Sequence, residues 1–228
     1  MKSIFIITFC TFMILSNYGC DQININPESK KLNLFFNSQW EDGLKNYPES
    51  ATWYGDTRYN HLLNNRSLEW ILKSREINIL SLKKINSINR KKILPEDKIN
   101  YDLYKLNLER SINGFPFHSY LMPVNQLGGI HIGLPNMVEL MPFDTEQDYK
   151  NYLSRLEKIP KAIDQTIEVM KYGIKKGWIP PKITLESVAD QIKKQYQFNS
   201  IEESPFFKPF IKNSNEIENW KELLNEGN

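Results

Sequence analysis

Hydrophobic residues recur at helical spacing along most of the chain. Leu32, Phe36, Trp40 and Leu44 lie four residues apart and predict a first amphipathic helix. Four later stretches show similar spacing: Leu68, Ile71, Leu72, Ile79 and Leu82; Tyr101, Tyr104, Leu108 and Ile112; Tyr149, Tyr152, Leu153 and Leu156; Ile163, Ile167, Met170 and Ile174. Strand signals are sparse. The pattern therefore predicts an all-α fold, a bundle-like array of antiparallel helices.

Residues with known terminal preferences mark where several of these helices begin. Ser67 precedes the second apolar face, and Pro95 stands in the first turn of the third. Thr145 is followed three residues later by Asp148, which is the spacing of a capping box. These positions predict helix N-termini just after residues 67, 95 and 145.

One long stretch departs from the helical period. Residues 115–143 contain four prolines and three glycines among many apolar residues. This composition predicts an ordered, mostly buried loop, with at most one short strand or helical turn. Loops of this length inside a compact domain are often functional.

The first nineteen residues predict an export signal. They carry one charge, Lys2, and an apolar run from Ile4 to Leu15. That run is too short to cross the ~30 Å hydrocarbon core as a helix, and it fits the apolar region of a secretory signal. The sequence therefore divides into a predicted signal peptide over 1–19, a polar tether over 20–31 and a helical domain over 32–228.

Cys20 gives this signal a more specific interpretation. Cys10 would leave with the signal, so Cys20 would be the sole cysteine and the first residue of the mature chain. Residues 17–20 resemble a bacterial lipoprotein cleavage box, although Asn17 stands where an aliphatic residue is usual. We therefore predict lipidation of Cys20 and a lipid-anchored location in the bacterial cell envelope. The alternatives are an ordinary secretory signal or an uncleaved N-terminal anchor.

Charge and motifs exclude several chemistries. The formal net charge is +2, which does not favour nucleic acid as a partner. The three histidines, His61, His118 and His131, are too far apart for a His-Glu-x-x-His zinc motif, and none is followed by Glu. No Gly-x-Ser-x-Gly elbow or phosphate-binding glycine loop is present. The sequence alone therefore predicts no catalytic residue and no metal ligand.

Several segments, taken in order, resemble one bacterial family, domain of unknown function 885. The resemblance spans about residues 35–197 and rests on PESATWYGDTRY (48–59), LPEDKINYDL (94–103), YLMPVNQ (120–126), GGIH (128–131), Leu134-Pro135, Asp148-Tyr149, Tyr152-Leu153, Ile163–Gln165 and Gly173–Pro181.

The resemblance implies an exported, largely helical lipoprotein similar to zinc metallopeptidases. The zinc ligands of such proteins belong to a His-Glu motif in the C-terminal half of much longer chains. We therefore expect this chain to correspond to the N-terminal half, with zinc only in full-length relatives and no cofactor here. A separately encoded C-terminal half is then a candidate partner.

The resemblance also implies a role for the glycine-rich and proline-rich loop. In a complete member it is expected to approach the substrate cleft, with Tyr120, Asn125, Gln126 and His131 as polar contacts in an apolar wall. The alternative is that the loop only turns the chain between packed helices.

Two functions follow from these expectations. One is the N-terminal part of a peptidase-like envelope lipoprotein, without hydrolase activity by itself. The other is a stand-alone helical envelope lipoprotein that binds a peptide or another protein. Enzymatic activity of the chain is left open by the sequence.

Overall fold

The computed structural model describes residues 26–212 and 220–227, and these residues are predominantly helical. The α-helices are α1 (Pro27–Asn46), α2 (Pro48–Trp53), α3 (Leu68–Asn86), α4 (Asp97–Gly114), α5 (Ile130–Val138), α6 (Glu146–Leu156), α7 (Ile159–Lys175), α8 (Val188–Lys193), α9 (Lys208–Lys212) and α10 (Trp220–Gly227). No β-strand occurs in these two ranges, apart from an isolated bridge between Asn125 and Gly128. The predicted all-α class is confirmed.

Helix α1 begins five residues before the predicted domain start at residue 32. The Asn26 side chain accepts hydrogen bonds from the backbone N–H groups of Glu28 and Ser29, at 3.0 and 3.1 Å. Pro27 fits the first helical position because it needs no N–H there. The predicted tether over 20–31 is therefore wrong for residues 27–31. Cys20 and the rest of residues 1–25 lie outside the described residues.

The N-terminal helices share one hydrophobic core. Helices α3 and α4 run antiparallel, since Asn78 bonds Ser111 at one end and Arg90 pairs with Asp102 at the other. The buried core residues are Leu32, Phe35, Ile85, Ile88, Ile93, Tyr101 and Leu108. Ser67 caps α3 through a 3.2 Å bond from the N–H of Trp70, as predicted.

The predicted face of α1 is only partly correct. Leu32 and Leu44 are buried. Trp40 is half exposed and packs its ring against Tyr54, with centroids 5.0 Å apart. Phe35 takes the core position instead, because a 3.6-residue period drifts away from strict four-residue spacing.

The C-terminal helices enclose a second core. Its buried members are Leu134, Met137, Val138, Met141, Tyr149, Tyr152, Phe207, Phe210 and Leu223. Thr145 and Asp148 form the predicted capping box at the start of α6. The hydroxyls of Tyr149 and Tyr152 donate to the carbonyls of Pro209 and Phe206, at 3.0 and 2.6 Å. These two bonds fix the segment after α8 against α6.

The prediction of a loop over 115–143 is wrong in its centre. Helix α5 occupies nine of these residues even though Pro135 lies inside it. Leu134, Met137 and Val138 enter the C-terminal core, and that burial outweighs the low helix propensity of proline and glycine. Short 3₁₀ turns at Phe115–Phe117 and Ser119–Leu121 account for part of the remainder.

The predicted face of α7 is also wrong. Ile163, Ile167 and Ile174 are exposed, whereas Ala162, Thr166, Val169 and Gly173 are buried. The buried side of α7 carries small residues because its backbone lies close to Leu121: a Cβ on Gly173 would be 2.7 Å from that residue's carbonyl oxygen.

Candidate functional site

A buried arginine organises the segment that leads into a polar cleft. Arg155 on α6 has no exposed surface. Its guanidinium donates to the carbonyls of Leu62, Pro48 and Tyr59 at 2.8, 3.2 and 3.3 Å, and to the Thr52 hydroxyl at 2.7 Å. One side chain therefore ties residues 48–62 to α6.

Burial has an electrostatic consequence for this arginine. Desolvation lowers the pKa of Arg155 to about 10, and the negative charge of Glu49 acts in the opposite direction. The group is still charged at neutral pH. Its partners compensate the buried charge through Nε and Nη2, whereas Nη1 is buried without a hydrogen-bond partner among the described residues.

The polar cleft lies between residues 47–74 and helices α5 and α7. It encloses about 440 Å³. Its lining residues are Tyr47, Glu49, Asn64, Asn65, Arg66, Trp70, Ile71, Ser74, Pro123, Gly129, Ile130, Gly133, Thr166 and Val169. Pro123, Gly129, Ile130 and Gly133 come from the stretch that the sequence predicted to approach a cleft.

A half-buried ion pair forms the charged part of this cleft. Arg66 Nη2 lies 2.6 Å from Glu49 Oε2, and each side chain is about 20% exposed. The second carboxylate oxygen of Glu49 accepts from the N–H of Asn64 at 3.0 Å. The backbone N–H of Arg66 donates to Gln165 of α7 at 2.9 Å. Residues 64–66 are thus held from both sides.

Two aromatic side chains make another part of the cleft wall apolar. Tyr47 and Trp70 pack edge to face with centroids 6.2 Å apart. Both residues, together with Ser74, also line an adjoining cavity of about 180 Å³. The two cavities therefore adjoin at the aromatic pair, and we call them together the groove: Glu49 and Arg66 line the first cavity, and Asp42 and Asn46 line the second.

Tyr120 and Asn125, two of the predicted cleft residues, have local partners. The Tyr120 ring stacks on Phe115 at 4.5 Å, and its hydroxyl lies 3.0 Å from His118 Nδ1. Burial raises the pKa of Tyr120. Asn125 accepts from the N–H groups of Leu127 and Gly128, at 2.8 and 3.0 Å. Neither side chain lines the polar cleft.

Gln126 and His131, the other two, meet through a third residue. Gln191 on α8 donates to the Gln126 carbonyl at 3.1 Å, and its side-chain oxygen lies 3.1 Å from His131 Nε2. His131 Nδ1 and Gln126 Oε1 are buried without a hydrogen-bond partner among the described residues.

Beside this trio is a second, apolar pocket on the other side of α5. It encloses about 290 Å³ and is lined by Ile130, His131, Leu134, Pro135, Ile159, Ile163, Ile192, Gln195, Tyr196 and Phe206. His131 is thus the one predicted cleft residue in its wall. Ile130 borders both this pocket and the polar cleft, so α5 separates them.

The zinc chemistry implied by the resemblance has no matching donor set here. In residues 26–212 and 220–227, no group of three or more His, Cys, Asp or Glu side chains is placed to hold a metal ion.

Sequence reasoning missed the residues that make the polar cleft polar. Glu49 and Gln165 stand inside the segments that carried the family resemblance, and this was their only signal. Arg66 and Trp70 gave no signal in the sequence. A single polar residue after a turn and a single aromatic residue at a helix start do not form a recognisable motif.

The fold and the cleft define an all-α protein whose groove is lined by residues in and around the first three helices together with α5 and α7. The sequence matches a family described as bacterial proteins of unknown function, DUF885, over residues 48–228, and the chain belongs to this family. No curated protein matches the sequence significantly. None of the described helices is both long and apolar enough to cross a membrane.

Proposed function

We propose that this chain is a lipid-anchored protein of the bacterial cell envelope whose helical domain binds peptides in the polar cleft. The observation that carries the peptide part is the groove around Tyr47 and Trp70. Its cavities of about 440 and 180 Å³ adjoin at Tyr47, Trp70 and Ser74. Two adjoining cavities of these sizes suit neighbouring residues of a peptide.

The chemistry of the groove favours a peptide without net charge. Glu49 and Arg66 neutralise each other at 2.6 Å, so the cleft does not require a charged ligand. Asn65 also lines the cleft: its side-chain oxygen accepts from the Ser67 N–H at 3.0 Å and from the Gln165 amide at 3.1 Å, so its NH₂ group is the part that can donate to a peptide carbonyl. Tyr47 and Trp70 provide apolar area for ligand side chains.

We further propose that the domain does not hydrolyse peptides by itself. Support comes from the donor set of the described residues, which contains no cluster of three metal-binding side chains. A hydrolytic zinc site needs such ligands and an open position for water. Stoichiometric zinc in the purified protein would contradict this part of the proposal.

Peptide binding is tested with a set of dansylated, uncharged pentapeptides that differ in the central residue. We expect saturable binding of members with an apolar central residue, and a loss of about tenfold in affinity for Trp70→Ala. Trp53→Ala is the matched control, because Trp53 is 68% exposed and does not line the groove. Absence of binding, or an equal loss in the control, contradicts the proposal.

The anchor is tested separately by metabolic labelling with palmitate. The natural chain should take up the label, and Cys20→Ser should abolish it because the thiol is the acylated group. Undiminished labelling of Cys20→Ser would overturn the lipoprotein assignment without affecting the peptide cleft.

A second candidate function is assembly with a separately encoded C-terminal half that carries the zinc motif. It is favoured by the aliphatic stripe on α7, where Ile163, Ile167 and Ile174 are exposed on one helix face. An adjacent reading frame with a His-Glu motif should encode a product that co-purifies with this chain. The double variant Ile163→Ser/Ile167→Ser should then abolish co-purification, and persistence of the complex would rule out the stripe as its interface.

A further inference from the structure

Three connecting segments meet at one end of the domain. The 3₁₀ turn Phe115–Phe117 leads into His118, whose ring lies 5.0 Å from that of Trp178. The turn closed by Asn125 and Gly128 adjoins residue 184, because the Gln126 N–H donates to the Thr184 carbonyl at 2.9 Å. The segment 178–184 therefore lies between the two turns and touches both.

These segments carry the three most exposed large hydrophobic side chains among the described residues. Leu127 is 85% exposed, Phe117 70% and Ile183 69%, and Ile179, in the same segment as Ile183, is 60% exposed. We call these four residues the apolar loop surface. Side chains exposed to this degree and grouped in one place mark an interaction site more often than scattered ones.

The local backbone holds two of these side chains outward. Asn125 fixes the turn around Leu127 through two hydrogen bonds, at 2.8 and 3.0 Å. His118, directly after Phe117, has a left-handed φ of 52°, which is uncommon for a residue other than glycine. The exposure of Leu127 and Phe117 therefore belongs to ordered turns.

Charge is distributed unevenly around this surface. Residues 111–138 contain no Asp, Glu, Lys or Arg. Residues 171–185 contain four lysines, at positions 171, 175, 176 and 182, and no acidic residue. Lys171 pairs with Glu168 at 2.9 Å, which leaves the other three as the cationic border. Glu186 follows directly, so residues 171–186 carry four lysines and one carboxylate, a local excess of positive charge in a chain whose net charge is +2.

We propose that the apolar loop surface rests on an anionic lipid membrane. Apolar tips flanked by more lysines than carboxylates match the two forces of interfacial binding: burial of apolar groups below the headgroups and attraction to anionic lipid. Lys175, Lys176 and Lys182 contact the headgroups, while Leu127 and Ile183 enter the interface. The contact provides a second attachment besides any lipid on Cys20, and it does not depend on the peptide cleft.

Insertion is tested with a label on the proposed tip. The chain from residue 20 with Cys20→Ser has no other cysteine, since Cys10 precedes it. Leu127→Cys in this background, labelled with an environment-sensitive dye, is titrated with phosphatidylglycerol–phosphatidylethanolamine vesicles. We expect a blue shift and a several-fold rise in emission. Ile99→Cys is the control, because Ile99 is 64% exposed but lies on the opposite part of α4, about 24 Å from Phe115 along the helix axis.

Affinity is tested by vesicle co-sedimentation of unlabelled chains with equal helical circular dichroism. Leu127→Ser/Ile183→Ser should lower partitioning at least about tenfold, whereas the control Leu34→Ser/Ile99→Ser should leave it unchanged. Each of Lys175→Gln, Lys176→Gln and Lys182→Gln should cost up to about fivefold on anionic vesicles at low salt. Partitioning into phosphatidylcholine vesicles should be weak.

Three outcomes overturn the proposal. The first is no partitioning into anionic vesicles at low salt. The second is an equal loss in the Leu34→Ser/Ile99→Ser control. The third is a dimer of the natural chain that Leu127→Ser/Ile183→Ser dissociates without any vesicle binding, which would assign the surface to contact between two copies. Because the peptide assay contains no lipid, failure of the membrane contact is distinguishable from failure of peptide binding.

Discussion

Helices α6 and α7 follow each other in the chain and use their surfaces in opposite ways. Helix α6 buries its largest side chains, Tyr149, Tyr152 and Arg155. Helix α7 buries Ala162, Thr166, Val169 and Gly173 and leaves Ile163, Ile167 and Ile174 exposed. Amphipathic spacing therefore indicated a packed face correctly in α6 and the wrong face in α7.

The distance to the neighbouring backbone accounts for this difference. A Cβ on Gly173 would lie 2.7 Å from the Leu121 carbonyl oxygen, so α7 approaches the 119–121 turn as closely as a glycine permits. Helix α6 stands far enough from residues 48–62 for an arginine to fill the gap. Small residues mark close packing, and large ones mark packing at a distance.

The largest expected effect is the loss of Arg155. Arg155→Met removes four hydrogen bonds to residues 48–62; the Pro48 and Tyr59 carbonyls keep other donors, from the Thr52 hydroxyl and the Leu62 N–H, but the Leu62 carbonyl loses its donor, so we expect destabilisation of about 2–4 kcal/mol. Urea unfolding followed by circular dichroism measures the change. Arg110→Met, at an exposed position of α4, should change stability by less than about 0.5 kcal/mol.

An Arg155→Met chain as stable as the natural one would show that the network adds nothing to stability. If the variant does not fold, Arg155→Lys is the informative replacement, because it keeps the charge and loses the fork of donors. If Arg155→Lys lowers the free energy of unfolding only in part, the result supports the role of the guanidinium hydrogen bonds.

The sequence allowed the class of fold and several helix starts to be predicted, because both depend on local chemistry. The caps at Ser67 and Thr145 involve residues within one turn and are present. Helix α5 could not be predicted, since Pro135 and Gly133 oppose it locally and only the distant core favours it. The buried face of α7 likewise depends on Leu121, about fifty residues earlier.

The candidate site was less predictable than the fold. The resemblance predicted four cleft residues. His131 lines the apolar pocket, and Gln126 is linked to His131 through Gln191. Tyr120 and Asn125 stabilise turns instead. The Glu49–Arg66 pair joins residues seventeen positions apart on different elements. No spacing rule connects such residues before the chain is folded.

A second prediction concerns how closely α7 approaches its neighbour. Gly173→Ala should destabilise the protein by about 1–3 kcal/mol, because the new methyl group meets backbone that cannot move without repacking. Gly43→Ala is the matched control: no atom lies within 4 Å of its added Cβ, and it lies inside α1. There alanine should stabilise by roughly 0.5–1 kcal/mol. Thermal unfolding of both variants gives the sign, and equal signs would contradict the close approach at Gly173.

The prediction with the smallest expected effect compares the buried face of α7 with its exposed face. Val169 is 1% exposed, so Val169→Ala leaves a cavity and should cost roughly 1–2 kcal/mol in urea unfolding. Ile167, two residues away, is 40% exposed. Ile167→Ala should lie within about 0.5 kcal/mol of the natural chain, since alanine's higher helix propensity offsets the little burial that is lost. The reverse order would place the isoleucine stripe in the core, and it would remove the exposed surface to which a second chain is proposed to bind.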